Sequence, residues 1–278
     1  MKDDEVKKVV REGYAQIARQ GGSCCLPNTS CCGSLTTAED LSRRMGYSDE
    51  DLQAVPEGAN LGLGCGNPLA LASLREGEVV LDLGSGAGFD CFLAARQVGE
   101  QGKVIGVDMT PEMVAKAREN ARKGGVNNVE FRLGEIENLP AADNTADLII
   151  SNCVINLAPD KRRVFQEAWR VLKPGGRIMI SDVVWLKDLP QAVSESAGAY
   201  VACLAGAVRR EEYLAAIEAA GFERLEVLEE TPVPFDLFQN DPLGREVMES
   251  LNLSPEQLKA GFDSVASLKV QAFKPKVR

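Results

Sequence analysis

The sequence predicts an α/β fold in which helices cover both faces of a doubly wound, mainly parallel sheet. Three observations support this prediction. Strand and helix patterns alternate from residue 78 to residue 185. A glycine-rich turn, Gly84-Ser85-Gly86, follows the first apolar strand, and Asp108 ends the second. The chain has 278 residues, of which 45% are hydrophobic and 26% charged, so it is long and apolar enough to bury the core of such a sheet.

The predicted elements follow from apolar periodicity and from residues that begin or end helices. Thr110 with Pro111 begins one helix, which Gly124-Gly125 ends. Asp160 begins another helix, and Gly221 ends a third. The predicted helices cover residues 3–19, 89–97, 111–123, 160–172, 193–203 and 210–220. The predicted strands cover residues 79–83, 104–108, 129–133, 146–151, 177–184 and 225–228. A polar segment completes the chain. Residues 21–33 and 49–70 are rich in turn-forming residues.

These elements divide the chain into three expected segments. A helix and a cysteine-rich arm occupy residues 1–70, the sheet core occupies 71–185, and a C-terminal α+β extension that completes the fold occupies 186–278.

The composition excludes several classes of chemistry and of partner. The chain contains no histidine, so it has no Ser-His-Asp triad, Cys-His nucleophile pair, histidine general base or histidine-ligated catalytic zinc. The net charge of −10 at pH 7 offers no electrostatic basis for binding nucleic acid or an anionic membrane. The chemistry that remains is that of thiols, carboxylates, amines or a cofactor.

Three stretches are expected to meet at the carboxyl edge of the sheet and to bind a nucleoside cofactor. Gly84 and Gly86 let the backbone approach a ligand closely, and Asp108 can accept hydrogen bonds from both ribose hydroxyls. Gly134-Glu135-Ile136 is placed to flank a purine. A dinucleotide fingerprint would need glycine where the chain has Phe89. The pattern instead resembles the class I S-adenosylmethionine-dependent methyltransferases, whose sheet is Rossmann-like.

Four cysteines outside the N-terminal cluster of Cys24, Cys25, Cys31 and Cys32 need separate interpretation. Cys91 lies among apolar residues of a predicted helix and is interpreted as a small buried hydrophobe. Cys65 lies in a glycine-rich turn, Cys153 ends the fourth strand, and Cys203 lies in an Ala/Gly-rich helix. Together these last three suggest a site of three thiolates at the edge of the sheet.

Several motifs in the same order resemble the arsenite S-adenosylmethionine methyltransferase family over about residues 20–230. They are Cys65-Gly66-Asn67-Pro68, Leu81-Asp82-Leu83-Gly84-Ser85-Gly86, Asp90-Cys91, Gly106-Val107-Asp108-Met109-Thr110, Ser151-Asn152-Cys153-Val154-Ile155-Asn156-Leu157 and Cys203-Leu204-Ala205-Gly206-Ala207. The resemblance implies methylation of trivalent arsenic held by Cys65, Cys153 and Cys203, with arsenic detoxification as the role. It also implies an S-adenosylmethionine pocket lined by Gly84, Ser85, Gly86, Asp108, Met109, Glu135, Ile136 and Asn152.

The N-terminal arm carries two adjacent cysteine pairs, Cys24-Cys25 and Cys31-Cys32. The resemblance implies that thiols reduce the oxidised arsenic through a protein disulfide and an external reductant, thioredoxin or glutathione. These four cysteines are candidates for the redox thiols, and the sequence does not say which of them takes the role of the family's N-terminal cysteine. A zinc knuckle is the alternative, although adjacent pairs lack the usual C-x₂₋₄-C spacing.

Two other functions stand as alternatives. A carbon or oxygen methyltransferase for small organic molecules would share the fold, but 5% aromatic residues leave few rings for a flat apolar pocket. A protein that binds arsenic or metal through thiolates without catalysis would not need the glycine turn or Asp108. The charged N-terminus shows no secretory signal and no long apolar run occurs, so we expect a cytoplasmic protein with reduced cysteines.

Overall fold

A computed structural model describes residues 3–20, 37–187, 206–233 and 264–276 of the chain. The helices are α1 (Asp3–Gln20), α2 (Ala38–Arg44), α3 (Asp49–Gln53), α4 (Phe89–Val98), α5 (Pro111–Gly124), α6 (Lys161–Val171) and α7 (Arg210–Ala219), with 3₁₀ turns at Leu69–Leu71 and Ile155–Leu157. The strands are β1 (Val79–Leu83), β2 (Lys103–Asp108), β3 (Val129–Leu133), β4 (Ala146–Asn152), β5 (Leu172–Trp185), β6 (Glu223–Pro232) and β7 (Val265–Phe273).

The strands form one seven-stranded sheet in the order β3-β2-β1-β4-β5-β7-β6. Strands β1 to β5 pair in parallel, whereas β7 pairs antiparallel with both β5 and β6. The strand order reverses at β1, which lies between β2 and β4. Ligands of open α/β sheets bind at this switch point, beyond the carboxyl ends of the strands. The predicted α/β class is confirmed.

Helices bury both faces of the sheet. On one face, Val80 of β1 belongs to an apolar cluster with Phe92 of α4 and Val114 of α5. On the other face, Leu81 belongs to a cluster with Phe165 of α6, which also includes residues of α7. Successive strand side chains point to opposite faces, so neighbouring apolar residues of β1 serve two different cores.

Asp160 and Gly125 act at the ends of their helices as the sequence predicts. The Asp160 side chain accepts a hydrogen bond from the Arg163 N–H at 2.9 Å, which caps α6. Gly125 ends α5 in the left-handed conformation, at a φ of 64°. Thr110 precedes Pro111 at the start of α5, but its side chain forms no capping hydrogen bond.

The C-terminal segment departs from the prediction. The sequence analysis treats it as a polar segment without a strand, which is wrong, because β7 inserts between β5 and β6. Buried apolar residues alternate along β7, at Ala266, Leu268, Val270 and Ala272. This period of two is the signal that would have predicted the strand.

Strand β5 also begins earlier than predicted. The predicted strand covers residues 177–184, but β5 already starts at Leu172. Ala146 pairs with Leu172 while Leu148 pairs with Arg177, so the extra residues form an irregularity in the ladder.

Two predicted segments, the helix over 193–203 and the loop over 21–33, lie outside the described residues. Within the part of the chain that the structure describes, none of the helices combines the length and apolar character needed to cross a bilayer.

Candidate active site

A cavity of about 470 Å³ opens at the carboxyl edge of the sheet. Small-molecule sites in proteins are typically about 300–1,000 Å³ in volume, so the cavity has the size of a cofactor site. Its lining includes Lys7, Val10 and Tyr14 of α1 on one side and residues of β6 and β7 on another. The predicted site residues that line it are Cys65, Gly84, Ser85, Gly86, Asp108, Met109, Ile136, Asn152 and Cys153.

The glycine turn after β1 forms the floor of the cavity. Gly84 and Gly86 both have left-handed backbones, at φ values of 68° and 51°. A Cβ on Gly84 would lie 2.3 Å from the Val154 side chain, whereas a Cβ on Gly86 would meet nothing within 4 Å. The turn therefore needs glycine for close packing at Gly84, and it leaves open space for a ligand at Gly86.

Asp108 presents its carboxylate to the cavity from the end of β2. Its oxygens accept hydrogen bonds from the backbone N–H groups of Gly86 at 2.9 Å and Thr110 at 2.8 Å. Burial raises the pKa of Asp108, and these two hydrogen bonds oppose the rise. The Thr110 side chain also hydrogen-bonds this carboxylate, and its remaining lone pair can accept a hydrogen bond from a ligand hydroxyl.

The neighbouring polar groups fit a nucleoside cofactor. Ser85 lines the cavity, and its buried hydroxyl has no hydrogen-bond partner among the described residues. A buried polar atom of this kind is stabilised when a ligand supplies the missing hydrogen bond. Met109 and Ile136 add apolar surface beside it. The aspartate matches a ribose, the hydroxyl matches a polar tail, and the flanking apolar side chains match a purine.

Glu135 has a different environment from the other predicted cofactor residues. Its carboxylate forms an ion pair with Lys7 of α1 at 2.8 Å and a longer one with Arg11 at 3.6 Å. Lys7 also pairs with Glu137 at 3.2 Å. Glu137, and not Glu135, is among the residues that line the cavity. These ion pairs connect α1 to the loop that follows β3.

Asn152, at the end of β4, holds the turn that carries Cys65. Its Oδ1 accepts a hydrogen bond from the Cys65 N–H at 3.1 Å, and its Nδ2 donates to the Gly66 carbonyl at 2.8 Å. The same Nδ2 lies 3.1 Å from the Tyr47 hydroxyl and 3.2 Å from the Asp90 carboxylate. One amide therefore holds two successive residues of a distant loop.

The structure brings two of the three predicted thiols together. The sulfur atoms of Cys65 and Cys153 and one carboxylate oxygen of Asp182 all lie within 4.8 Å of one another. Cys153 has a φ of 58°, a left-handed conformation that is uncommon for a residue with a side chain. Its N–H donates to the Ser181 carbonyl at 2.8 Å, and the Cys65 thiol donates to that carbonyl at 3.6 Å. Both cysteines therefore hydrogen-bond the same carbonyl oxygen of β5.

Asp182 is a buried carboxylate beside these two thiols that the sequence pattern did not predict. It is completely buried, and its carboxylate accepts hydrogen bonds from Asn156 at 2.8 Å, the Val183 N–H at 2.9 Å and the Tyr213 hydroxyl at 3.0 Å. Burial raises its pKa to about 6, and the hydrogen bonds oppose the rise. A charged residue inside the apolar run of β5 is the signal that could have identified it.

A pair of buried acidic residues, Asp82 and Asp90, also lines the cavity and was not predicted as part of the site. Burial raises the pKa of Asp90 to about 6, although the Tyr47 hydroxyl donates to it at 2.6 Å. Burial and the neighbouring Asp90 charge raise the pKa of Asp82 as well. Cys91 donates to Asp82 at 3.2 Å and is fully buried on α4, which agrees with its interpretation as a buried residue.

The remaining predicted thiols fall outside the described residues. Cys203, Cys24, Cys25, Cys31 and Cys32 all belong to ranges for which the structure gives no placement.

Comparison with known proteins identifies relatives of the chain. Residues 74–230 match a family model described as a methyltransferase domain. The chain is 52% identical over 231 residues to an arsenite methyltransferase of Halobacterium salinarum, a match that covers 81% of this chain and 59% of that protein. The human arsenite methyltransferase is 37% identical over 232 residues, covering 80% of this chain and 59% of that protein. This chain therefore spans about three fifths of the length of these two curated relatives.

A solved structure shows the same relationship. CrArsM, an arsenic (III) S-adenosylmethionine methyltransferase from Chlamydomonas reinhardtii, superimposes with a TM-score of 0.61 at 35% sequence identity. The match covers 85% of this chain and 74% of that chain.

Proposed function

The chain belongs to the arsenite methyltransferase family, whose members are class I S-adenosylmethionine-dependent methyltransferases, and from this premise we propose that it methylates trivalent arsenic. S-adenosylmethionine is the cofactor of such a methyltransferase domain, and the glycine turn, Asp108 and Ser85 are the residues that would hold it. Arsenite is the proposed substrate, presented as a complex with thiols.

The observation that carries the proposal is the pair of thiols beside the cofactor-sized cavity. Cys65 and Cys153 both line the cavity, and their sulfur atoms lie within 4.8 Å of each other. Trivalent arsenic is a soft centre, and soft centres prefer thiolate to oxygen ligands. Cys203 is the proposed third ligand, which completes the trigonal set that trivalent arsenic takes with thiolates.

The proposed reaction needs orientation more than acid–base catalysis. Three thiolates leave a lone pair on arsenic, and this nucleophile has no proton to lose, so the lack of histidine is no obstacle. Bound S-adenosylmethionine supplies an electrophilic methyl group on a sulfonium. Orientation of two reactants provides about 7–11 kcal/mol in favourable cases. Residues that fix the thiols, Asn152 above all, would therefore contribute directly to the rate.

Methyl transfer changes the oxidation state of arsenic. The arsenic lone pair would form the new arsenic–carbon bond as the carbon–sulfonium bond breaks, S-adenosylhomocysteine would leave, and the arsenic would become pentavalent. We propose that two protein thiolates then give two electrons to the arsenic, which becomes trivalent again while they form a disulfide. Glutathione or thioredoxin would reduce that disulfide, and the four N-terminal cysteines are the candidates for relaying the exchange. A reducing compartment is needed for this cycle, and the cytoplasm is the proposed location.

The direct test is to incubate the protein with arsenite, a thiol reductant and S-adenosylmethionine labelled in its methyl group. Labelled methylarsenic species are the expected product. Cys203→Ser should abolish their formation. Cys91→Ser should not, because it keeps a hydrogen-bond donor to Asp82 and Cys91 is not among the residues that line the cavity. Wild-type protein that binds arsenite and S-adenosylmethionine but forms no methylated arsenic would refute the proposal.

A further inference from the structure

The carboxylate of Asp182 beside Cys65 and Cys153 has no role in the proposed reaction, since three thiolates satisfy trivalent arsenic. We propose that Cys65, Cys153 and Asp182 form a binding site for Zn²⁺, which excludes arsenite when it is occupied. The zinc site stands on the geometry of these three residues alone. The competition with arsenite rests on the proposed function.

Hydrogen bonds from three residues fix the Asp182 carboxylate. Its Oδ1 accepts from Asn156 Nδ2 and from the Val183 N–H. Its Oδ2 accepts from the Tyr213 hydroxyl at 3.0 Å, and the Asn156 backbone also hydrogen-bonds the carboxylate. Hydrogen bonds of this kind orient ligating carboxylates in metal sites. Tyr213 and Asn156 therefore hold Asp182 as a preorganised oxygen ligand.

The donor set and its spacing suit zinc. Zn²⁺ accepts sulfur and carboxylate oxygen in tetrahedral sites, with Zn–S bonds of about 2.3 Å and Zn–O bonds of about 2.0–2.2 Å. Such bonds hold the donor atoms about 3.5–3.8 Å apart. The three atoms here already lie within 4.8 Å of one another, so shifts of about 1 Å close the site.

The charges also balance around a divalent cation. Two thiolates and one carboxylate carry three negative charges, so bound Zn²⁺ leaves one negative charge, and the two thiol protons leave to solvent or buffer. Lys161 donates to the carbonyl oxygens of Asn156 and Ala158, and its positive charge acts on Asp182. This ammonium offsets the remaining charge, which reduces the cost of burying the complex.

The cavity is lined by two of the three donor residues. Cys65 and Cys153 line the cavity, whereas Asp182 lies behind them against Tyr213. A metal bound by all three donors would keep one position open to water or to a small thiol, as catalytic zinc sites do. Because arsenite needs the same two sulfur atoms, the two ligands exclude each other.

The test measures Zn²⁺ binding to the full chain with Cys24, Cys25, Cys31 and Cys32 replaced by serine, so that the N-terminal thiols do not contribute. We expect one Zn²⁺ per chain. Asp182→Asn preserves the size of the side chain and should weaken Zn²⁺ binding at least tenfold while changing arsenite affinity less than threefold. Tyr213→Phe, which removes the orienting hydroxyl, should weaken Zn²⁺ binding about 10- to 100-fold.

Cd²⁺ provides a measurement that needs no change at Asp182. The thiolate-to-cadmium absorption of the same protein should correspond to two sulfur ligands per Cd²⁺, and Cys203→Ser should leave it unchanged. A spectrum of three thiolates, or loss of Zn²⁺ binding in Cys203→Ser with full binding in Asp182→Asn, would overturn the proposal. Zn²⁺ binding that needs Asp182 in a protein without arsenite methylation would refute the proposed function and leave the zinc site standing.

Discussion

The amide of Asn152 offers the sharpest test of how the two thiols are held. Asn152→Asp keeps an oxygen that can accept the Cys65 N–H but replaces Nδ2, the donor to the Gly66 carbonyl at 2.8 Å. The new oxygen would face that carbonyl and the Asp90 carboxylate, which Nδ2 now contacts at 3.2 Å. The substitution therefore turns an attractive contact with the turn into a repulsive one without changing the size of the side chain.

The magnitude follows from the loss of a partner for a buried carbonyl. A buried polar group left without its hydrogen bond costs about 1–3 kcal/mol. If this cost displaces Cys65 from Cys153, arsenite affinity falls by about 5- to 150-fold, at 1.4 kcal/mol per factor of ten. Repulsion from Asp90 acts in the same direction.

The assay is equilibrium binding of arsenite in the absence of cofactor, so that a role of Asn152 in cofactor binding does not enter. Asn128→Asp is the matched control, because its Nδ2 also donates to two backbone carbonyls at 2.9 Å, those of buried Ala95 and half-buried Gly99, and Asn128 is not among the residues that line the cavity. It should lower stability and leave arsenite affinity unchanged. Unchanged arsenite affinity in Asn152→Asp would refute the proposed hold on Cys65.

Three further predictions follow from the site. Cys153→Ser should reduce arsenite methylation below detection while S-adenosylmethionine affinity, measured by calorimetry, stays within about twofold; an active variant would refute the thiolate site. Asp108→Ala should weaken S-adenosylmethionine about 10- to 150-fold, since hydrogen bonds to a charged group contribute about 1.5–3 kcal/mol, and should spare arsenite binding. Unchanged cofactor affinity would mean that Asp108 does not contact the ribose. Burial raises the pKa of Asp182 from 3.8 to about 6, so the folded state binds a proton more tightly than the unfolded chain, and stability falls as the pH rises through that window. In denaturant titrations without arsenic or metal, the free energy of unfolding of wild type relative to that of Asp182→Asn should fall by up to about 3 kcal/mol between pH 4 and pH 7. A difference that stays constant with pH would contradict this account.

Local sequence patterns predicted the part of the site that lies in one chain segment. The turn with Gly84 and Gly86 follows one strand, and Asp108 ends the next strand. The apolar run of each strand is visible in the sequence. Because parallel strands end at a common edge of the sheet, their meeting in one cavity follows from the fold class. Capping by Asp160 and termination at Gly125 are local as well, and both were predicted correctly.

The contacts that build the thiol site join segments far apart in the chain. Asn152 and Cys65 are separated by 87 residues, and the loop that carries Cys65 follows no regular period. Which backbone atoms of that loop meet Asn152 is decided by the packing of the whole domain. Asp182 was missed for the same reason, because its partners Asn156 and Tyr213 lie on other elements.

By itself, the sequence determined the fold class, the cofactor turn and the cysteines worth testing. The tertiary structure alone decided that Asn152 holds the Cys65 turn, that Asp182 lies behind the two thiols, and that β7 enters the sheet between β5 and β6. The physical reason is one of range. Helices, strands and turns arise from neighbouring residues, whereas hydrogen-bond partners and strand neighbours are selected by burial among segments that the chain order keeps apart.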